Sequence, residues 1–244
     1  MIRRLLLALV LALPGCGSGG GAQEVTVLAA ASLTGTFTEL GKAFEAAHPG
    51  TSVRFSFGSS ATLAQQIVQG APADVFAAAS PATMKTVTDA SLADAPAVFA
   101  RNKLQIAVPA GNPAHVADLK DLTRPEVKVA LCAEQVPCGA AAAQALHAAG
   151  LTVKPVTLEQ DVKATLTKVE LGEVDAALVY RTDVIAAGGR VQGIAFPQAD
   201  QAVNDYPIAA LTKAPAGEAA RQFVDLVLSQ QGRDALARAG FEAP

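Results

Sequence analysis

The 244-residue chain is sparing with the residues that carry most enzyme chemistry. It holds three histidines (His48, His115 and His147), three cysteines and two tyrosines. No serine sits in a G-x-S-x-G elbow, and neither an H-E-x-x-H pair nor a phosphate-binding loop occurs, which removes the usual hydrolase, zinc-protease and nucleotide-binding signatures. The histidines fall near helix ends or after the Asn112-Pro113 turn and read as surface residues. A net charge of −3, spread along the chain, offers no basic face for nucleic acid. Beyond the N-terminus no apolar run is long enough for a transmembrane helix. No internal repeat is found.

What is present begins with an export pattern. Arg3 and Arg4 precede an apolar run, Leu5 to Leu13, too short for a mature membrane span but suited to a signal peptide. The run ends in Leu13-Pro14-Gly15-Cys16, which resembles a bacterial lipobox, with Pro14 the irregular position. The reading is a signal peptide over residues 1–15, then lipidated Cys16 and a flexible tether over 16–23 that includes Gly17-Ser18-Gly19-Gly20-Gly21. A soluble secreted form is the alternative. Export agrees with the remaining cysteines: an oxidising compartment would tend to pair Cys132 with Cys138. Metal binding competes, but no histidine or second cysteine pair lies near them.

The mature body alternates short apolar strands with helical patterns, which argues for parallel sheets covered by helices. Strands are expected at Val25–Ala30, Val53–Phe57, Val75–Ala79, Leu104–Val108, Val127–Leu131, Val153–Val156, Ala176–Tyr180 and near Tyr206–Ile208. Leu33, Phe37, Leu40 and Phe44 recur at helical spacing until His48-Pro49-Gly50 stops them. Further helices are expected at Thr62–Gln69, Gly139–Ala149, Val162–Leu171 and Glu218–Ser229.

Four of the strands run through a short turn straight into a helix. The turns are Ala30-Ala31-Ser32, Gly58-Ser59-Ser60, Val136-Pro137-Cys138-Gly139 and Glu159-Gln160-Asp161-Val162. A helix start carries unpaired N–H groups and partial positive charge, so small residues there make an anion site. Any one serine taken singly is better explained as a cap, and Asp161 reads as a cap because its carboxylate would repel an anion. The weight lies in four donor-rich helix starts within one α/β chain, whose ligands bind beyond the carboxyl ends of strands.

These residues resemble the periplasmic molybdate-binding proteins of ABC transporters. The resemblance is carried by Val27-Leu28-Ala29-Ala30-Ala31-Ser32-Leu33-Thr34, by Phe57-Gly58-Ser59-Ser60-Ala61-Thr62-Leu63-Ala64 and by Gly70-Ala71-Pro72-Ala73-Asp74-Val75-Phe76. It continues through Val136-Pro137-Cys138-Gly139, Asp161-Val162 and Leu178-Val179-Tyr180. It implies an α/β type II periplasmic-binding fold, with two lobes of mixed, mainly parallel sheets joined by a two-stranded hinge. Lobe I would hold residues 24–101 plus 205–244, and lobe II residues 102–204. The implied oxyanion donors are Ser32 and Ser60 through hydroxyl and N–H, Cys138 and Val162 through N–H, and the Tyr180 hydroxyl; any metal is met only through molybdate oxygens. Cysteine stands at position 138 where the family often has alanine, and Arg181 stands where a small residue is expected and reads as facing solvent. The implied partners are molybdate or tungstate and an ABC permease, with no enzyme activity, no cofactor, no nucleic acid and a monomeric state.

The chemistry fits that ligand class. Molybdate, tungstate and sulfate are full dianions near neutral pH and need only donors, whereas phosphate keeps a proton that wants an acceptor. Neutral donors can hold such a dianion without a lysine or arginine. The rivals are a sulfate or other anion binder, an iron(III) binder using the two tyrosines, and an exported serine hydrolase using Ser60. For the last no base is recognisable.

Overall fold

The computed structural model describes residues 23–244. The signal peptide, Cys16 and the tether up to residue 22 lie outside the described residues. Among the described residues, no helix is long and apolar enough to cross a membrane.

Two five-stranded sheets make the frame. In the first, β1 (Gln23–Ala30) lies between β2 (Thr51–Gly58) and β3 (Val75–Ala77), parallel to both. Antiparallel β10 (Asn204–Ala210) and β4 (Ala97–Asn102) then extend it, giving the order β2-β1-β3-β10-β4. The second is built from β5 (Leu104–Pro109), β6 (Val129–Cys132), β7 (Thr157–Glu159), β8 (Ala176–Tyr180) and β9 (Val191–Ile194) in the order β7-β6-β8-β5-β9. It repeats the scheme of the first: β6 is parallel to β7 and β8, and β5 is antiparallel to β8 and β9. Antiparallel pairing is therefore as frequent as parallel pairing. The strands that feed the four donor-rich turns all belong to the parallel part.

Strand alternation places the core. Val25, Val27 and Ala29 of β1 join one apolar cluster of the first sheet, while Leu28 joins the cluster on its other face. Helix α1 (Thr34–Ala47) buries Phe37, Leu40 and Phe44 on the first of these faces. Phe37 and Phe44 meet Phe223 of α7 (Gly217–Leu228) edge-on, at centroid distances of 5.9 and 5.5 Å. The remaining helices are α2 (Ser60–Val68), α3 (Pro81–Asp89), α4 (Pro137–Ala148), α5 (Val162–Glu170), α6 (Arg181–Ala187) and α8 (Gln230–Arg238).

Two expectations shift. The strand expected at 153–156 lies at Thr157–Glu159 instead, because Pro155 has no N–H for a ladder and pairing with β6 starts only beyond it. The expected C-terminal helix stops at Leu228; Ser229 then caps a further helix, its hydroxyl accepting from Gly232 N. Between the sheets the chain crosses once through Lys103 alone, from β4 to β5, and returns through residues 195–203.

Candidate functional site

The carboxyl ends of β1, β2, β6 and β7 converge on one small cavity between the sheets. Ala30, Ser32, Ser59, Ser60, Ala79, Val136, Cys138, Asp161, Val162 and Tyr180 are on its wall. All five residues expected from the sequence are thus brought together. The cavity measures about 20 Å³. That is below the roughly 300 Å³ at which pockets for drug-sized ligands begin, so a small ion suits it better than a sugar or peptide.

Local hydrogen bonding leaves donors facing this space. In the α4 turn Pro137 has no N–H, and Val136 O accepts from Gly139 N and Ala140 N at 3.0 Å each. The N–H of Cys138 is left as the free donor of that helix start. Gly139 is required there, because a Cβ would stand 1.9 Å from the Ala133 carbonyl oxygen. Cys132 and Cys138 form a disulfide, which ties the end of β6 to the first turn of α4. At α5, Asp161 acts as the cap: its Oδ1 accepts from Lys163 N at 2.8 Å and Ala164 N at 3.0 Å, leaving the N–H of Val162. Ser60 Oγ accepts from Ala79 N at 2.9 Å, so its own hydrogen is left for another acceptor.

Among the described residues, two hydroxyls on the wall make no hydrogen bond of good geometry. They are Tyr180 Oη, at the end of β8, and Ser59 Oγ, both buried. Burial, with the nearby Tyr206 and Asp183 adding to it, pushes the Tyr180 phenol well above its ordinary pKa, so it stays a neutral donor. Ser59 is missing from the sequence-derived set, since a serine before a helix reads as a cap. Here it makes no side-chain cap bond.

Among the described residues, the wall carries no lysine, arginine or histidine, and its only carboxylate is the capping Asp161. Among the described residues there is no cluster of three or more histidines, cysteines or carboxylates able to hold a metal. The two tyrosines approach each other, with ring centroids 6.1 Å apart. Burial raises both phenols, which disfavours the phenolates that iron(III) needs. Among the described residues Ser60 has no histidine beside it: His48 stacks on Phe44 at 4.1 Å, and neither His115 nor His147 reaches the wall. Arg181 is exposed to solvent, outside the cavity.

Behind the wall, Asp183 is fully buried, with Lys163 Nζ 2.9 Å from its Oδ1. Burial, only partly opposed by Lys163, raises its pKa. The folded chain therefore holds this proton more tightly than the unfolded chain, and the carboxylate subtracts stability as pH rises above about 4. Asp183→Asn is expected to raise the unfolding midpoint at pH 7, with the gain shrinking as pH falls towards 4. A midpoint that drops at pH 7 would show the ion pair to be net stabilising.

Residues 25–242 match the family described as bacterial extracellular solute-binding protein. The chain is 41% identical over 247 aligned residues to the molybdate-binding protein ModA of Mycobacterium tuberculosis strain H37Rv, covering 97% of this chain and 95% of that protein. The fold is similar to the periplasmic molybdate-binding protein of Azotobacter vinelandii, with a TM-score of 0.79 at 22% identity over 90% of this chain and 99% of that one. It is equally similar to the sulfate-binding protein SubI of M. tuberculosis H37Rv, with a TM-score of 0.80 at 21% identity over 91% of this chain and 87% of that one. The fold alone thus does not separate the two oxyanions.

Proposed function

We propose, from the premise that the chain belongs to the bacterial extracellular solute-binding proteins and within them to the molybdate-binding ModA proteins, that it captures molybdate, or tungstate, outside the cytoplasm and delivers it to an ABC permease. The observation that carries this reading is the set of neutral donors turned into one small cavity, two of them buried hydroxyls that make no well-formed hydrogen bond among the described residues. A buried donor left unpaired costs about 1–3 kcal/mol, and an acceptor-only dianion relieves several at once. Ser32, Ser60, Cys138, Val162 and Tyr180 are the proposed ligand set, with Ser59 beside them.

The two sheets are read as the cores of two lobes, residues 24–101 plus 205–244 and residues 102–204, hinged at the two crossings. Since the donors come from both, the anion would favour the closed arrangement, the shape a permease would recognise. Attachment to the membrane through Cys16, a monomeric state and the absence of a cofactor complete the proposal. No catalytic step is assigned, since no base accompanies any nucleophile on the wall.

Thermal unfolding of the domain against molybdate, tungstate, sulfate, phosphate and iron(III) tests it. At a concentration a thousand times the dissociation constant, molybdate is expected to add about 4 kcal/mol. For a domain of this size that is a rise of roughly 8–16 °C in the midpoint. No rise with molybdate or tungstate would overturn the proposal, and a rise with sulfate alone would replace it by the sulfate reading.

A further inference from the structure

Tyr206 and Asn102 do not line the cavity, yet both are wired to it. Tyr206 on β10 is completely buried, and its Oη lies 2.9 Å from Ser32 Oγ. Asn102, at the end of β4, is also buried, with its Nδ2 3.4 Å from Tyr206 Oη and 2.8 Å from Thr182 Oγ1. Its Oδ1 accepts from Lys103 N at 3.0 Å, which fixes the amide with its nitrogen facing Thr182 and Tyr206.

This arrangement has a direction. An amide nitrogen only donates, so Tyr206 Oη is an acceptor towards Asn102. The phenol's own hydrogen then has Ser32 Oγ as the acceptor at 2.9 Å. Were Ser32 instead to donate to Tyr206, the phenol hydrogen would have to turn to the neighbouring Tyr180 hydroxyl, and the Ser32 hydrogen would point away from the cavity and be lost to an anion. With Tyr206 donating, the Ser32 hydrogen is released towards the cavity. Ser60 is held the same way by the Ala79 N–H. Burial keeps the Tyr206 phenol protonated, so the donation persists across the physiological pH range.

We propose that Asn102 and Tyr206 are positioning residues: through the donations Asn102 to Tyr206 to Ser32 they hold the Ser32 hydroxyl as a donor to the bound anion. This rests on the dianion reading of the cavity and adds two residues that never touch the ligand.

A double-mutant cycle of Tyr206→Phe and Ser32→Ala tests it, reading the molybdate dissociation constant by titration calorimetry and the ligand-free unfolding midpoint beside it. Tyr206→Phe is expected to weaken molybdate binding about tenfold in the wild-type background and less than twofold in Ser32→Ala, the coupling expected of residues acting through one bond. Equal losses in both backgrounds would assign Tyr206 to packing and overturn the proposal, as would no loss in either. If the wild-type protein binds neither molybdate nor another dianion, the functional reading itself fails. If it binds and only the coupling is missing, the wiring alone fails.

Discussion

Gly139→Ala is expected to lower the unfolding midpoint by roughly 6–12 °C and to weaken anion binding along with it. The added Cβ would meet backbone, 1.9 Å from Ala133 O and 2.8 Å from Cys132 O, and no flexible side-chain end could swing aside. The disulfide limits how far the loop can open, since Cys132 and Cys138 hold its two ends together. Overpacking of this kind costs about 3 kcal/mol, and a domain of this size loses roughly 2–4 °C per kcal/mol. Because position 139 follows Cys138 directly, relief of the clash must displace the Cys138 N–H from the cavity wall. Circular dichroism melts and titration of the same sample separate the two effects. A midpoint within 2 °C of wild type would show that the loop yields freely and that the close packing of α4 against β6 is unimportant.

How far the sequence reached follows from which interactions are local. The strands at Val25–Ala30 and Ala176–Tyr180, and the small-residue turns behind them, were legible because apolar runs and turn chemistry are written within a few residues. Strand direction is not written there. Half of the pairings are antiparallel because β5 leaves β4 after a single residue and β10 returns from the second sheet, and no local periodicity records either crossing. The helix Gln230–Arg238 was missed because Gly232 and the polar run around it hide the buried pair Ala235 and Leu236.

The candidate site divides in the same way. Helix starts marked the four turns that hold Ser32, Ser60, Cys138 and Val162, and the family resemblance singled out those residues and Tyr180 within them and beside them. What turns the hydroxyls into donors is not local. Ala79 lies 19 residues from Ser60, and Tyr206 lies 174 residues from Ser32. A sequence read for motifs assigns Tyr206 only as a possible phenolate; its burial and its bond to Ser32 make it a neutral relay. Ser59 escaped for the opposite reason, since a local rule explained it as a cap although its hydroxyl makes no cap bond.

The largest effect on binding is expected from Ser32→Ala combined with Ser60→Ala. A hydrogen bond to a charged partner contributes about 1.5–3 kcal/mol, so two of them amount to about 3–6 kcal/mol, or a loss of roughly 10² to 10⁴ in affinity. The loss stops short of abolition, because the N–H groups of Cys138 and Val162 belong to the backbone and the Tyr180 hydroxyl remains. The variant has a structural cost too: Ala79 N–H and the Tyr206 hydroxyl each lose an acceptor, so the ligand-free midpoint must be measured beside the dissociation constant. A folded variant whose molybdate affinity stays within threefold of wild type would remove both serines from the site. A variant with reduced but measurable affinity would place the residual binding on Tyr180 and the helix starts; at the latter substitution cannot delete the donor and only a change of backbone, such as Val162→Pro, can. Pro is accepted in the first turn of a helix, so Val162→Pro should fold and lose one further donor.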